Sequence, residues 1–316
     1  MRKTYAGLFL TSLAALMLEI LLTRVFSVAT WYYFAFFAIS VAMFGLTVGA
    51  IFVYKRADLF TPEKLGERMA LFALLFAVSV DIALFIFLSV PFYPRLTGLG
   101  VFSTAFIYLV IAFPFACAGV VVCLCLTRYP EKTSLFYAAD LVGAGVGAFM
   151  VFPVLNAMDA PTAVFLVGAV AALSAVFFAS DCVNTKLKKA SSAAFILLSL
   201  LMAINFVYQP VRVEWVKASF NVPEFELWNS FSRIAVYPTR IVKTPYSWGL
   251  SSAYKADNPI IEKMIDIDGV SETVMTYYDG NPKSVEHLKY DVTHIAHYLR
   301  DNAKVFIIGV GGGRDI

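Results

Sequence analysis

The residues of this chain best suited to chemistry are Gly309, Gly311 and Gly313, which follow the apolar run 305–308. Four β-prone apolar residues in a row predict a buried inner strand of a parallel sheet. The glycines allow the backbone to turn sharply and to approach a ligand closely, with N–H groups free to donate. A strand that runs into such a turn is typical of a site where a nucleotide-type cofactor docks.

The spacing of the glycines narrows the class of ligand. The dinucleotide pattern GxGxxG requires a third glycine where this chain has Arg314 or Ile316, so both registers fail. The phosphate loop GxxxxGK[ST] is absent from the sequence as well. The remaining pattern, GxGxG, is the looser one of adenosyl-cofactor sites. A glycine-rich strand-to-helix connection that holds no ligand stays open as the alternative.

Four segments carry a resemblance to a known family. Residues 307–315, Ile-Ile-Gly-Val-Gly-Gly-Gly-Arg-Asp, resemble the first cofactor loop of the spermidine synthase (polyamine aminopropyltransferase) family, which shares its fold with class I methyltransferases. Residues 265–269, Ile-Asp-Ile-Asp-Gly, are similar to the family's strand that ends in Leu-Asp-Gly. Residues 17–24 and 137–144 are similar to spans of membrane-fused members. The C-terminal part of the resemblance covers about residues 225–316.

The resemblance implies aminopropyl transfer from decarboxylated S-adenosylmethionine to a small amine, with S-adenosylmethionine as the other cofactor candidate. The cofactor-binding residues that it implies are Gly309, Gly311, Gly312, Gly313 and Asp315. The candidates for contact with the substrate are Asp268, Tyr290 and Asp291.

Two departures from the family limit what can be carried over. Where family members have Tyr-His-Glu on the helix before the loop, this chain has Tyr290-Asp291-Val292. The family's later acidic residues fall beyond residue 316, so we assign no catalytic residue and expect the chain as written to be inactive by itself. A membrane-bound methyltransferase remains an alternative, although residues 307–308 lack the acid that many methyltransferases carry before the first loop glycine.

The composition is that of a membrane protein. Hydrophobic residues make up 60% of the chain and charged residues only 15%, with a net charge of +3. The small net charge gives no sign of a nucleic-acid partner. The four cysteines lie in or beside apolar segments without a CxxC pair, as expected of buried small hydrophobic residues: Cys117, Cys123, Cys125 and Cys182.

Seven segments approach the roughly 20 apolar residues that a helix needs to cross a bilayer. They are residues 5–27, 32–54, 69–90, 103–127, 136–157, 160–180 and 191–208. The first is too long for a cleaved signal peptide and is expected to remain as an anchor. Lys and Arg before the first span and after the second, fourth and sixth place the N-terminus in the cytoplasm. Seven crossings would then put residues after 208 outside, whereas an adenosyl cofactor is found inside, so the side of the C-terminal part stays open.

Four polar residues lie within the predicted spans: Glu19, Arg24, Asp81 and Asp140. Acidic groups at membrane depth cost about 2.5–3.5 kcal/mol on insertion scales, so they usually face protein or water. They either line an ion or substrate path or have structural partners within the bundle. The first case supports an alternative function, a multi-pass transporter or binding protein with a regulatory C-terminal domain.

Small residues spaced four apart predict close contacts between helices. They occur at Gly45 and Gly49 in the second span, and at Ala139, Gly143 and Gly147 in the fifth. We expect these contacts within the bundle, with ligand contact as the alternative; the formation of a homo-oligomer stays open.

The predicted fold is a polytopic α-helical membrane bundle at 1–209, a small β-rich domain at 210–302 and the first strand of a Rossmann-like (class I methyltransferase-type) α/β domain at 303–316. The β-rich part has strand patterns at 225–231, 233–237, 263–267 and 272–277. Residues 284–299 are predicted to form a helix with Ser284 as its N-cap.

The predicted helix 284–299 would bring His287, Asp291 and His294 to one face. Three interpretations stay open for this face: contact with a cationic amine through Asp291, a solvated surface, or zinc. No HExxH motif is present, and we assign no metal. Trp228 and Trp248 are candidates for cation–π contact with an amine, with packing as the alternative.

Overall fold

The computed structural model describes residues 1–90, 97–255, 258–300 and 302–316. Its described residues include seven long helices, each long and apolar enough to cross a membrane. They are α1 (Arg2–Ala29), α2 (Tyr32–Lys55), α3 (Leu65–Ser89), α4 (Gly98–Thr127), α5 (Thr133–Ala157), α6 (Ala160–Ala179) and α7 (Thr185–Tyr208). They confirm the seven predicted apolar helices and are consistent with a multi-pass membrane protein. A helix suits a bilayer because it satisfies its own backbone hydrogen bonds.

Glycines set the closest contacts between the helices. A Cβ atom added at Gly45 or Gly49 of α2 would overlap the backbone of α4 near Ala112 and Ala116. The same addition at Gly143 or Gly147 of α5 would overlap backbone carbonyl oxygens of α1. The predicted close contacts therefore form within the bundle, between α2 and α4 and between α1 and α5.

The described residues fall into two compact units. The first comprises Met1–Asn221 with Trp228–Phe231, and the second Val222–Leu227 with Ser232–Ile316. The first unit therefore contains, besides the helices, a short hairpin of β1 (Trp215–Val216) and β2 (Ser219–Phe220).

A five-stranded sheet organises the second unit. Its strands are β3 (Phe225–Trp228), β4 (Arg233–Val236), β5 (Arg240–Val242), β6 (Ile260–Ile267) and β7 (Ser271–Thr276). The long strand β6 lies at its centre: β4 and β5 pair antiparallel with the two halves of one edge, and β7 with the other. Asp268 and Gly269 have φ values of 54° and 66°, which suit the tight turn joining β6 to β7. The predicted β-rich part is confirmed, with β6 longer than expected.

The prediction of a continuous helix at 284–299 is wrong. The chain forms two 3₁₀ segments instead, Pro282–Tyr290 and Val292–Tyr298, with Asp291 extended between them. The backbone N–H of Val292 donates to the carbonyl of Gly249, and the carbonyl of Tyr290 accepts from Ser251. These bonds to a distant segment use groups that a continuous helix would need for itself.

The predicted strand at 305–308 does not form either. Among the described residues no strand lies beside this run, and Val305, Phe306 and Ile308 are all more than half exposed. A strand exists only through hydrogen bonds to a neighbour, so four β-prone residues do not make one alone. A Rossmann-like sheet is therefore not seen in the described part of the chain.

Candidate ligand-binding site

The glycine loop, residues 309–313, lies on the edge of the sheet. Gly309, Gly311 and Gly313 have φ values of 74°, 57° and 79°, a backbone conformation that other residues rarely adopt. Gly312 contacts β7 so closely that a Cβ atom there would overlap the carbonyl of Val274. The predicted cofactor-binding glycines thus form a tight turn that requires glycine at each of these positions.

A buried ion pair fixes the end of this loop. Arg314 is 8% exposed, and its Nη2 donates to Oδ2 of Asp291 over 2.7 Å. The guanidinium also lies over the ring of Tyr246, 5.9 Å from its centre. The loop is therefore held by Asp291, which lies between the two 3₁₀ segments.

The Asp291 carboxylate accepts three hydrogen bonds. Besides Arg314, the backbone N–H of Trp248 donates to it over 3.1 Å and that of Thr293 over 3.2 Å. Burial acts to raise the pKa of the Asp291 carboxyl, but these donors outweigh it and hold the pKa below its ordinary value. Asp291 is thus a carboxylate with an internal cationic partner, at the position predicted to contact a cationic amine.

His294 binds the loop backbone. Its Nε2 lies 2.8 Å from the carbonyl oxygen of Arg314, which can only accept, so Nε2 carries the proton. Nδ1 then accepts from the hydroxyl of Thr293 over 3.2 Å. Asp315, a predicted cofactor residue, is 45% exposed at its side chain and has an oxygen 3.5 Å from the same Nε2. His294 and Asp291 therefore hold residue 314 through its backbone and its side chain.

His287 is buried in the same cluster without a hydrogen bond. It is 1% exposed, and neither ring nitrogen has a partner among the described residues. Burial, followed by the charge of Arg314, lowers the pKa of His287 to about 4. The imidazole is therefore neutral at pH 7.

Two cavities border this cluster. The larger, of about 480 Å³, is lined among others by Lys289, His294, His297 and Arg314. The smaller, of about 330 Å³, is lined among others by Gly312, Gly313 and Arg314. Their size lies within the range of about 300–1,000 Å³ that small-molecule sites occupy. Arg314 borders both cavities, and the glycine loop borders the smaller one.

The other predicted substrate residues lie in different surroundings. Asp268 accepts the backbone N–H of Arg233 over 2.7 Å, which ties the β6–β7 turn to β4. Tyr290 is 39% exposed and its ring lies 5.3 Å from that of Tyr254. Trp248 is largely exposed, whereas Trp228 is buried in the core of the first unit, where it serves packing.

Sequence reasoning missed the role of Arg314. From the sequence, Arg314 was noted only because it stands where the GxGxxG pattern requires its third glycine. A basic residue directly after three glycines and an acid 23 positions earlier were visible in the sequence. Nothing in the spacing showed that they pair, because the chain between them folds irregularly.

The four polar residues of the bundle differ in their surroundings. Asp140 accepts from the Ser12 hydroxyl over 2.5 Å, which links α5 to α1. Arg24 donates to Ser27 over 3.1 Å, and Glu19 is partly exposed. Asp81 of α3 is 3% exposed, and within the described part of the chain neither carboxyl oxygen has a hydrogen-bond partner. It lies against Gly168 of α6, where a Cβ atom would overlap its Oδ1.

No three His, Cys, Asp or Glu side chains converge on a point that could hold a metal ion within the described residues. No protein-family model matches the chain, and no curated protein or solved structure is significantly similar to it. The candidate site therefore has to be interpreted from its own geometry.

Proposed function

We propose that the glycine loop binds an adenosyl sulfonium ligand and that the protein is a membrane-anchored, spermidine synthase-like transferase. The observation that carries the proposal is the loop itself, with three glycines at positive φ and a fourth packed against β7. The resemblance of residues 307–315 and 265–269 to the spermidine synthase family supports it. In this proposal residues 303–316 belong to a Rossmann-like domain of the class I methyltransferase type.

The residues present fit such a ligand. Within the described residues the backbone N–H groups of Gly309, Gly311 and Gly312 have no protein partner, so they are free to donate. Two buried nitrogens of Arg314, which lines both cavities, also lack partners among the described residues. Gly309, Gly311, Gly312, Gly313 and Asp315 would hold the ligand, which supplies an electrophilic carbon next to its sulfonium.

The reaction implied is aminopropyl transfer to a small amine. The nitrogen lone pair of the amine forms a bond to the carbon beside the sulfonium, the C–S bond breaks, and its electron pair returns to sulfur. The amine proton passes to solvent. The protein's part in this scheme is to orient the amine, for which Asp268, Tyr290 and Asp291 remain the candidates. Methyl transfer from S-adenosylmethionine is the alternative reaction of the same site.

A binding measurement with matched glycine variants tests the proposal. Gly309 and Gly280 both have positive φ and open space for a Cβ atom, but only Gly309 lies in the loop. We expect the protein in lipid nanodiscs to bind labelled S-adenosylmethionine or its decarboxylated form, with binding lost in Gly309→Ala and kept in Gly280→Ala. Equal binding by both variants, or no binding of either ligand by the native protein, would refute the proposal.

The proposal also requires the second unit to face the cytosol, where the ligand is found. A cysteine placed at the exposed Ser252 should react with a membrane-impermeant maleimide only after cells are permeabilised. Labelling in intact cells would place the unit outside, as seven full crossings from a cytoplasmic N-terminus require.

Asp81 favours a second candidate function, a transporter or binding bundle. A carboxyl group buried at membrane depth without a partner is expensive, and such groups commonly mark ion or proton paths. Asp140 offers the control, since Ser12 satisfies it. If the bundle conducts protons or cations into liposomes, Asp81→Asn should abolish the flux and Asp140→Asn should not. Flux no greater than in protein-free liposomes would remove this candidate.

A further inference from the structure

Arg314 has more donor groups than partners. A guanidinium carries five N–H donors, and the described contacts of this one run from Nη2 to Asp291. Nε and Nη1 are buried and have no partner among the described residues. A buried donor without a partner costs about 1–3 kcal/mol, and more when the group is charged. An acceptor from outside the described residues would remove this cost.

The position of the guanidinium indicates where that acceptor comes from. Arg314 lines both cavities, and the smaller one also touches Gly312 and Gly313 of the loop. A planar guanidinium suits a planar anion such as a carboxylate. Since Asp291 occupies Nη2, a second carboxylate would bind at the remaining nitrogens.

We propose that Arg314 binds the carboxylate of the ligand's amino-acid tail, so that the site prefers S-adenosylmethionine to decarboxylated S-adenosylmethionine. This inference rests on the proposed adenosyl site and selects S-adenosylmethionine of the two ligands left open there, which makes methyl transfer rather than aminopropyl transfer the reaction of the site. The two molecules share the nucleoside, the sulfonium and the amine, and differ in the carboxylate alone. Only the carboxylated ligand provides an anionic acceptor for the buried donors of Arg314.

The test compares the affinities of the two ligands for the native protein in nanodiscs by equilibrium dialysis. A charge-assisted hydrogen bond to a buried guanidinium should make S-adenosylmethionine bind at least about tenfold more tightly. Arg314→Gln should bring the two affinities together. Arg300→Gln, at an exposed arginine of the same unit, should leave the tenfold preference intact.

The outcomes separate this inference from the function on which it rests. Equal affinities, or tighter binding of the decarboxylated ligand, would overturn the role of Arg314 and leave the adenosyl site standing. Binding of neither ligand would overturn both. Because Arg314→Gln also breaks the pair with Asp291, the comparison on the native protein decides the matter if that variant fails to fold.

Discussion

The ion pair between Arg314 and Asp291 offers the sharpest structural test, because the same unit contains a matched exposed pair. Arg314 and Asp291 lie 2.7 Å apart with side chains 7% and 0% exposed. Lys263 and Glu224 also lie 2.7 Å apart, with side chains 30% and 53% exposed. Asp291→Asn and Glu224→Gln remove the same charge at nearly the same shape, so burial is the main difference between the two experiments.

The expected effects differ because water screens only one of the pairs. Breaking a buried pair from one side leaves an uncompensated charge and costs about 3–5 kcal/mol. An exposed pair contributes about 0–1 kcal/mol. With about 1.4 kcal/mol per factor of ten, Asp291→Asn should open the loop by roughly a hundredfold or more, and Glu224→Gln should open the backbone around its own pair by roughly fivefold at most.

Hydrogen exchange followed by mass spectrometry measures this opening in the native fold. Amides of residues 309–316 should exchange faster in Asp291→Asn by the predicted factor, whereas amides around Glu224 and Lys263 should change little in Glu224→Gln. The pKa of Asp291 is lowered in the folded state, so its contribution is present above the unfolded pKa of about 3.9 and is lost as pH falls through the folded value. Equal acceleration in both variants would refute the reasoning that burial gives the pair its strength.

Three further predictions follow from individual contacts. Gly143→Ala should destabilise the bundle by about 1–3 kcal/mol in thermal unfolding, because the new methyl group meets α1, whereas Gly145→Ala, with open space, should be neutral or stabilising. Amide exchange of residues 282–298, corrected for intrinsic rates, should become faster as pH falls from about 6.5 to 4. The reason is that His287 binds a proton in the unfolded state over this range but stays neutral in the folded state, where its pKa is about 4. His287→Leu should remove this pH dependence. A double-mutant cycle of Ser12→Ala and Asp140→Ala should give a coupling of about 1–2 kcal/mol, and additive effects would contradict the hydrogen bond.

The bundle of seven apolar helices could be predicted because its signals are local. Seven apolar segments gave seven helices, since helices satisfy their backbone within one segment. Glycines four apart gave close contacts for the same reason: the spacing alone puts them on one face. Two predictions were wrong because the outcome depended on residues distant in the sequence: the strand at 305–308 and the helix at 284–299. The strand needed a neighbouring strand to pair with. The helix could not form because backbone groups that it needed bond instead to residues 249–251.

The candidate site was predictable in its glycines and not in its side chains. Positive φ at Gly309, Gly311 and Gly313 follows from residue type. The helical periodicity invoked for His287, Asp291 and His294 is absent, yet all three are buried, because the break at Asp291 turns its carboxylate toward Arg314. Such a pairing comes from the tertiary path of the chain, which no spacing rule encodes.

The most direct test of the central claim is a hydrogen-exchange footprint of a ligand on the glycine loop. With S-adenosylhomocysteine added in excess to the full-length protein in nanodiscs, amides of residues 309–314 should become protected while those of the β1–β2 hairpin stay unchanged. Exchange in the loop that is identical with and without the ligand would contradict an adenosyl site at these glycines.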